Sequence, residues 1–164
     1  MQRQRILRWA ILQHYTICDT PLLDVSQSLR VAASFASYRN NRQAYLYALG
    51  VPHLSGAITA SAEAGLQTVR LSSVCPPTAV RPHIQEGFLI GEYPDLADAE
   101  QKINYQESEI DFGLRLLAKF RFDPENFWHR DGFPKVGETA LYPDRSDTFF
   151  AIAADIKSQL EQAR

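Results

Sequence analysis

The sequence predicts one α+β domain, with several short, mostly antiparallel strands between a helix at either end. Three observations point there. Apolar residues recur at helical spacing near both termini, and short runs rich in β-branched and aromatic residues lie between them, punctuated by Gly, Pro and Asn. With 164 residues and 45% apolar content, the chain can build one real core, so residues 1–164 are read as a single domain.

In chain order, the first element is a helix. Ile6, Leu7, Ala10, Ile11 and His14 form a helical stripe, so Arg3 to Gln13 is expected to be amphipathic, with Arg3, Arg5 and Arg8 turned away from the stripe. Leu22 and Leu23 run directly into Asp24. A charge there is tolerable only at an edge or beside a partner, and the expected answer is that Asp24 accepts hydrogen bonds from the amides of the next helix. Ser26 or Ser28 can cap that helix, whose apolar positions are Leu29, Ala32, Ala33, Phe35 and Ala36, and Asn40 and Asn41 end it.

Gln43 to Leu49 reads as a strand covered on both sides, with the tyrosines on one face. Val51 to Gly65 is small and polar, and is expected to be a loop or flap. Leu66 to Ser72 is a further strand, and Pro76 and Pro77 separate it from the next element. In EGFLIGEYP, the run Phe88–Leu89–Ile90 suits a buried strand.

Pro94 to Glu109 is polar and acidic, a surface helix or loop. RLLAKFRF then alternates Leu116, Ala118, Phe120 and Phe122 with Arg115, Lys119 and Arg121, which predicts a half-exposed strand with a basic outer side. From Asp123, turn residues with dense aromatics indicate an ordered connection packed on the core. Asp147 starts a terminal helix carrying Phe149, Ile152, Ala153, Ile156 and Leu160.

Composition weighs against several classes. A net charge of −2 gives no general field for holding a phosphate polymer, which argues against nucleic acid as the partner. Cys18 and Cys75 fall outside metal-ligand and disulfide-framework patterns, and the four histidines show no ligand spacing, so no metal is expected. No apolar run approaches the ~20 residues needed to cross a bilayer, which points to a reducing cytoplasm and no membrane. No phosphate-cradling glycine loop or catalytic elbow appears, so no resident cofactor is indicated.

What remains is polar density within apolar surroundings. His14, Tyr15, Thr20, Asp24 and Ser26 form one cluster, and Arg81, His83, Gln85 and Glu86 another at the entrance to the third strand. Each has an ordinary structural role: capping for Asp24 and Ser26, a turn carboxylate for Glu86, a core histidine for His14 and a surface ion pair for Arg81. Polar groups at strand ends beside a cleft are also where substrate sites are built, so both roles stand at this level.

Three blocks then bear on the choice: LQHYTICDTPLLDVSQSLRVAASFA from Leu12, VCPPTAVRPHIQEGFLIG from Val74 and ETALYPDRSD from Glu138. Together they resemble the FRG domain family of bacteria and phages. In its pattern a Q-H-Y-G-x-P-T-x-L-L-D-x-T segment leads into a helix, an arginine and a Q-x-G-x-F turn come next, and an aromatic-Pro-Asp turn precedes the last helix. Gln13, His14, Tyr15, Thr20, Leu22, Leu23, Asp24 and Ser26 match the first block, Arg81, Gln85, Gly87 and Phe88 the second, and Tyr142, Pro143 and Asp144 the third.

Thr16 stands where the family usually has glycine, and Cys18 and Asp19 where it has one proline, so the turn is expected to differ in shape. The Phe-Arg-Gly segment normally precedes the His-Tyr block. The chain is therefore expected to correspond to the carboxyl-terminal two thirds of such a domain, as a short form, a fragment, or one half of an assembly in which a protein partner supplies the upstream segment.

The block order is also similar to that of ADP-ribosyltransferases, which implies NAD as substrate, a macromolecular target, a role in bacterial or phage conflict and an incomplete split sheet. On that analogy Glu86, or Gln85 through a ribose hydroxyl, serves catalysis. Ser26 holds the ribose, and His14, Tyr15, Thr20, Asp24 and Arg81 line the NAD pocket, with Arg81 a poor pyrophosphate clamp because it sits on a turn. Two other readings stand beside it: a noncatalytic recognition or assembly module using the aromatic tail from Phe127 to Tyr142, and a single-stranded nucleic-acid binder using the arginine-bearing faces.

Overall fold

The computed structural model describes residues 2–40, 42–52, 55–93, 115–129, 132–144 and 146–162. The expectation for Pro94 to Glu109 lies outside these residues. The fold is α+β, with every described strand pairing antiparallel.

Helix α1 (Gln2–His14) places Ile6, Ala10 and His14, four residues apart, on one buried line. It ends with the Ile17 amide reaching the Leu12 carbonyl at 2.9 Å, a six-to-one closure with Thr16 in left-handed conformation at φ 55°. Strand β1 (Leu23–Ser26) comes next, then α2 (Leu29–Ala36), capped by Ser28, whose Oγ accepts from the Val31 amide at 3.4 Å. The expected capping role of Asp24 is therefore wrong. Asp24 is in the middle of β1, opposite Leu89, and the cap falls four residues later.

Strand β1 forms one edge of a four-stranded sheet in the order β1-β5-β4-β3, with β3 (Ile58–Ser61), β4 (Leu66–Arg70) and β5 (Gly87–Glu92). The stretch expected to be a loop thus contains a strand. Small residues there pair Ile58 with Val69 and Ser61 with Leu66, and Gly65 at φ 65° closes the tight turn between them. The strand expected over Leu66–Ser72 gives way at Leu71 to a single helical turn, α3 (Leu71–Val74), with α4 (Val80–Ile84) after it. Pro82 lies in the first turn of α4, where its missing N–H costs no helical bond.

The pleat divides β5 cleanly: Leu89 and Gly91 face the core, while Phe88 and Ile90 face the opposite side. A Cβ at Gly91 would come within 2.5 Å of Leu22 Cδ2, so a larger residue there displaces the Leu22 side chain. The core unites Ile6, Ala10, Leu22, Val69, Leu71, Cys75, Ala79 and Leu89, with Phe149 packed against it.

Among the described residues, strands β2 (Ala44–Leu49) and β6 (Leu116–Phe122) pair only with each other, as a separate ribbon. The expectation that β2 is covered on both sides fails, since Tyr45 and Tyr47 are exposed. A two-stranded ribbon has too little surface to bury both faces. Lys119 and Arg121 are exposed as expected, but so are Leu116 and Phe120 on the alternate face.

The described part of the aromatic connection packs on α2. It carries the short helices α5 (Pro124–Phe127) and α6 (Glu138–Leu141), with Trp128 stacked on Phe133 and bonded through Nε1 to Ser37 Oγ at 3.0 Å. Helix α7 (Thr148–Gln162) closes the chain, and the Asp147 carboxylate caps it at the Phe149 amide, 2.9 Å away. None of the described helices is long and apolar enough to cross a membrane.

Candidate functional site

A cavity of about 1070 Å³ lies where β1 meets the ribbon and α2. Because side chains alternate along β1, it is lined from both faces of that strand. Asp24 and Ser26 stand on the α1 side with Gln13, His14, Arg81 and Gln85. Leu23 and Val25 stand on the other with Phe88, Ile90 and the ribbon residues Tyr45 to Leu49. One side of the cleft is polar and the other apolar and aromatic.

The polar side is a connected network. Gln13 Nε2 donates to Asp24 Oδ2 at 2.7 Å and to the Leu22 carbonyl at 2.9 Å, and Thr20 Oγ1 donates to Gln13 Oε1. His14 Nδ1 lies 4.0 Å from Asp24 Oδ1. Burial opposes protonation of His14 more than Asp24 favours it, so the imidazole pKa falls below its ordinary value and the ring is neutral near pH 7. For Asp24, burial pushes the pKa up, but the neighbouring His14, the hydrogen bond from Gln13 and the charge of Arg81 outweigh it, and the carboxyl ionises more readily than usual. Among the described lining residues, Asp24 is the one carboxylate and Arg81 the one guanidinium.

Arg81 departs from its expected place. It is in α4 rather than on a bare turn, and it is only 7% exposed, so a surface ion pair is excluded. Its guanidinium packs over the rings of Tyr142, at 5.0 Å, and Tyr15, at 5.9 Å. Asp147 holds the backbone beneath: its Oδ2 accepts from the Arg81 amide at 2.8 Å and from the Tyr15 hydroxyl at 3.0 Å. Burial and then that hydrogen bond raise the Tyr15 pKa, so the phenol stays a neutral donor.

None of the family models, curated proteins or solved structures compared with this chain matches it. Site and fold therefore rest on their own geometry.

That geometry joins some of the sequence-derived residues and separates others. His14, Asp24, Ser26, Arg81 and Gln85 come together at the cleft. Tyr15 is buried beneath Arg81, and Thr20 acts through Gln13; neither lines the cavity. Gln85 spends its amide on the Leu141 carbonyl at 2.7 Å, and its own carbonyl accepts from Ser26 Oγ at 3.1 Å, so it braces β1 and α6.

Glu86 is exposed, holds φ 48° at the turn into β5 and does not line the cavity. As the carboxylate beneath a substrate in this cleft it is misplaced: the left-handed turn that starts β5 directs Gly87 and Phe88, not Glu86, into the lining. Thr16, where the FRG pattern usually has glycine, holds the left-handed conformation that glycine favours.

Sequence reasoning missed the ribbon tyrosines, Tyr142 against Arg81, and the inward use of Asp147. Only the last carried a local signal, its capping position, and that signal names one partner of three.

Proposed function

We propose that this chain is an FRG-like domain whose cleft takes NAD or a related nucleotide, in the manner of ADP-ribosyltransferase-like effectors. The observation that supports it is convergence: two polar blocks some 60 residues apart, each part of the FRG resemblance, line one cavity at a strand edge. A cleft with a charged side and an aromatic side suits a ligand made of phosphates, sugars and flat rings. Tyr45, Tyr47 and Phe88 offer faces for a base, and the polar side offers partners for the rest.

In ADP-ribosyl transfer the bond between ribose and nicotinamide breaks, nicotinamide leaves with the bonding electrons, and an acceptor on the target closes on the ribose carbon. Positive charge develops on the ribose, and an ionised carboxylate near it stabilises that state more than the ground state. Asp24 takes this role in the proposal in place of Glu86, being ionised and at the cleft.

Calorimetric titration of the full chain with NAD, and transfer from labelled NAD, test this. Wild type and Glu86→Gln are expected to bind and turn over alike, and Asp24→Asn to bind while losing turnover. Absence of both NAD binding and turnover in wild type would end the reading.

One observation favours a second reading, a noncatalytic assembly module. Ile152, Ile156 and Leu160, four residues apart on α7, are all exposed, whereas the aromatic tail proposed for that role packs largely on itself. Light scattering decides it: a monodisperse monomer at high concentration removes self-assembly through that stripe.

A further inference from the structure

We propose that Arg81 anchors an oxyanion of the cleft's ligand, a phosphate or a carboxylate, and that this group supplies the direct ion-pair partner the guanidinium lacks in the free protein. The inference rests on the cleft being a ligand site, though not on NAD being the ligand.

A guanidinium only 7% exposed has lost most of its hydration, and such a cation is expected to be paired. Arg81 is not. Its Nε is buried without a hydrogen-bond acceptor, and among the described residues no carboxylate lies within ion-pairing distance of its guanidinium. Asp147, the carboxylate that touches this residue, takes its backbone N–H instead. Asp24 acts on it only at longer range, its oxygens being turned to Gln13 and His14, and the other groups around it do not supply an acceptor. Tyr142 and Tyr15 meet the cation with their rings, the Tyr15 hydroxyl is already donating to Asp147, and burial keeps His14 neutral.

Two tyrosine rings hold the guanidinium in place, and Arg81 lines the cavity. A planar fork of N–H donors, fixed in orientation and short of acceptors, matches the paired oxygens of a phosphate or carboxylate. Pre-organisation of this kind lowers the entropic cost of binding.

The test titrates the full-length chain with pyrophosphate and, separately, succinate, at constant ionic strength, by calorimetry and by thermal shift. At least one is expected to bind saturably and raise the melting temperature. Arg81→Met is expected to weaken that binding at least tenfold. Arg81→Lys, which keeps the charge and guards against misfolding of the first variant, is expected to weaken it less because it loses the fork. Binding of pyrophosphate alone assigns a phosphate-bearing ligand, and binding of succinate alone a carboxylate.

No saturable binding of either anion, or equal binding by wild type and both variants, would overturn the proposal. The NAD reading fails separately. If NAD does not bind while pyrophosphate or succinate does, the anchor stands and NAD is wrong; if NAD binds equally to wild type and Arg81→Met, the anchor is wrong.

Discussion

Replacing Asp147 with alanine tests the framework beneath the cleft. The carboxylate is 3% exposed and accepts three hydrogen bonds: from the Phe149 amide at 2.9 Å, the Arg81 amide at 2.8 Å and the Tyr15 hydroxyl at 3.0 Å. The first caps α7, and losing a cap costs about 1 kcal/mol. The other two join α4 and the end of α1, and each buried donor left without an acceptor costs roughly 1–3 kcal/mol.

The expected loss is about 4 kcal/mol, a large share of the roughly 5–15 kcal/mol that holds a typical domain together. Asp147→Asn keeps one acceptor oxygen and should lose about half as much. Urea denaturation followed by far-ultraviolet circular dichroism measures both, with equal slopes confirming a common unfolded state. A loss under about 1 kcal/mol for the alanine variant would refute the reasoning, because a cap alone accounts for that much.

Three further expectations concern the first half of the chain. Ser28→Ala should lower stability by about 0.5–1 kcal/mol, because Ser28 caps α2; an unchanged midpoint in urea melts would contradict the assigned cap. Thr16→Gly should raise stability by about 0.5–1 kcal/mol, since φ 55° strains a β-branched residue; a lower melting temperature would show that the Thr16 hydroxyl's bond to the Tyr15 carbonyl outweighs that strain.

The third concerns pH. The His14 pKa is depressed by folding, so between its unfolded value of 6.5 and the lower folded value the unfolded chain binds more protons and stability falls as pH falls. His14→Gln should flatten that part of the profile. An unchanged slope below pH 6.5 would show that His14 is not buried neutral.

Legibility in the sequence depends on the range of the forces involved. The helix stripes of α1 and α7, the helix after Ser28 and the run Phe88–Ile90 record a periodicity that neighbours in sequence share, so they were readable without a fold. β3 was not, because ITAS is made a strand by the Leu66–Arg70 partner across the turn rather than by its own composition. The tyrosines of β2 alternate as a strand should, but sequence does not say whether a second layer covers them, and here the ribbon stands with one partner.

The site divides in the same way. The sequence alone determined which polar residues are out of place in apolar surroundings, and so marked two clusters, His14, Tyr15, Thr20, Asp24 and Ser26, and Arg81, His83, Gln85 and Glu86. Only the tertiary structure decided what each does: it moved Asp24 from a cap to a strand edge beside His14, spent Gln85 on bracing, left Glu86 outside, and buried Arg81 against tyrosines 66 and 61 positions away in the chain. The physical reason is that a side chain's partners at such separations are set by where the sheet and helices cross. Hydrogen bonding and charge then act over a few ångströms of space, with no memory of sequence distance.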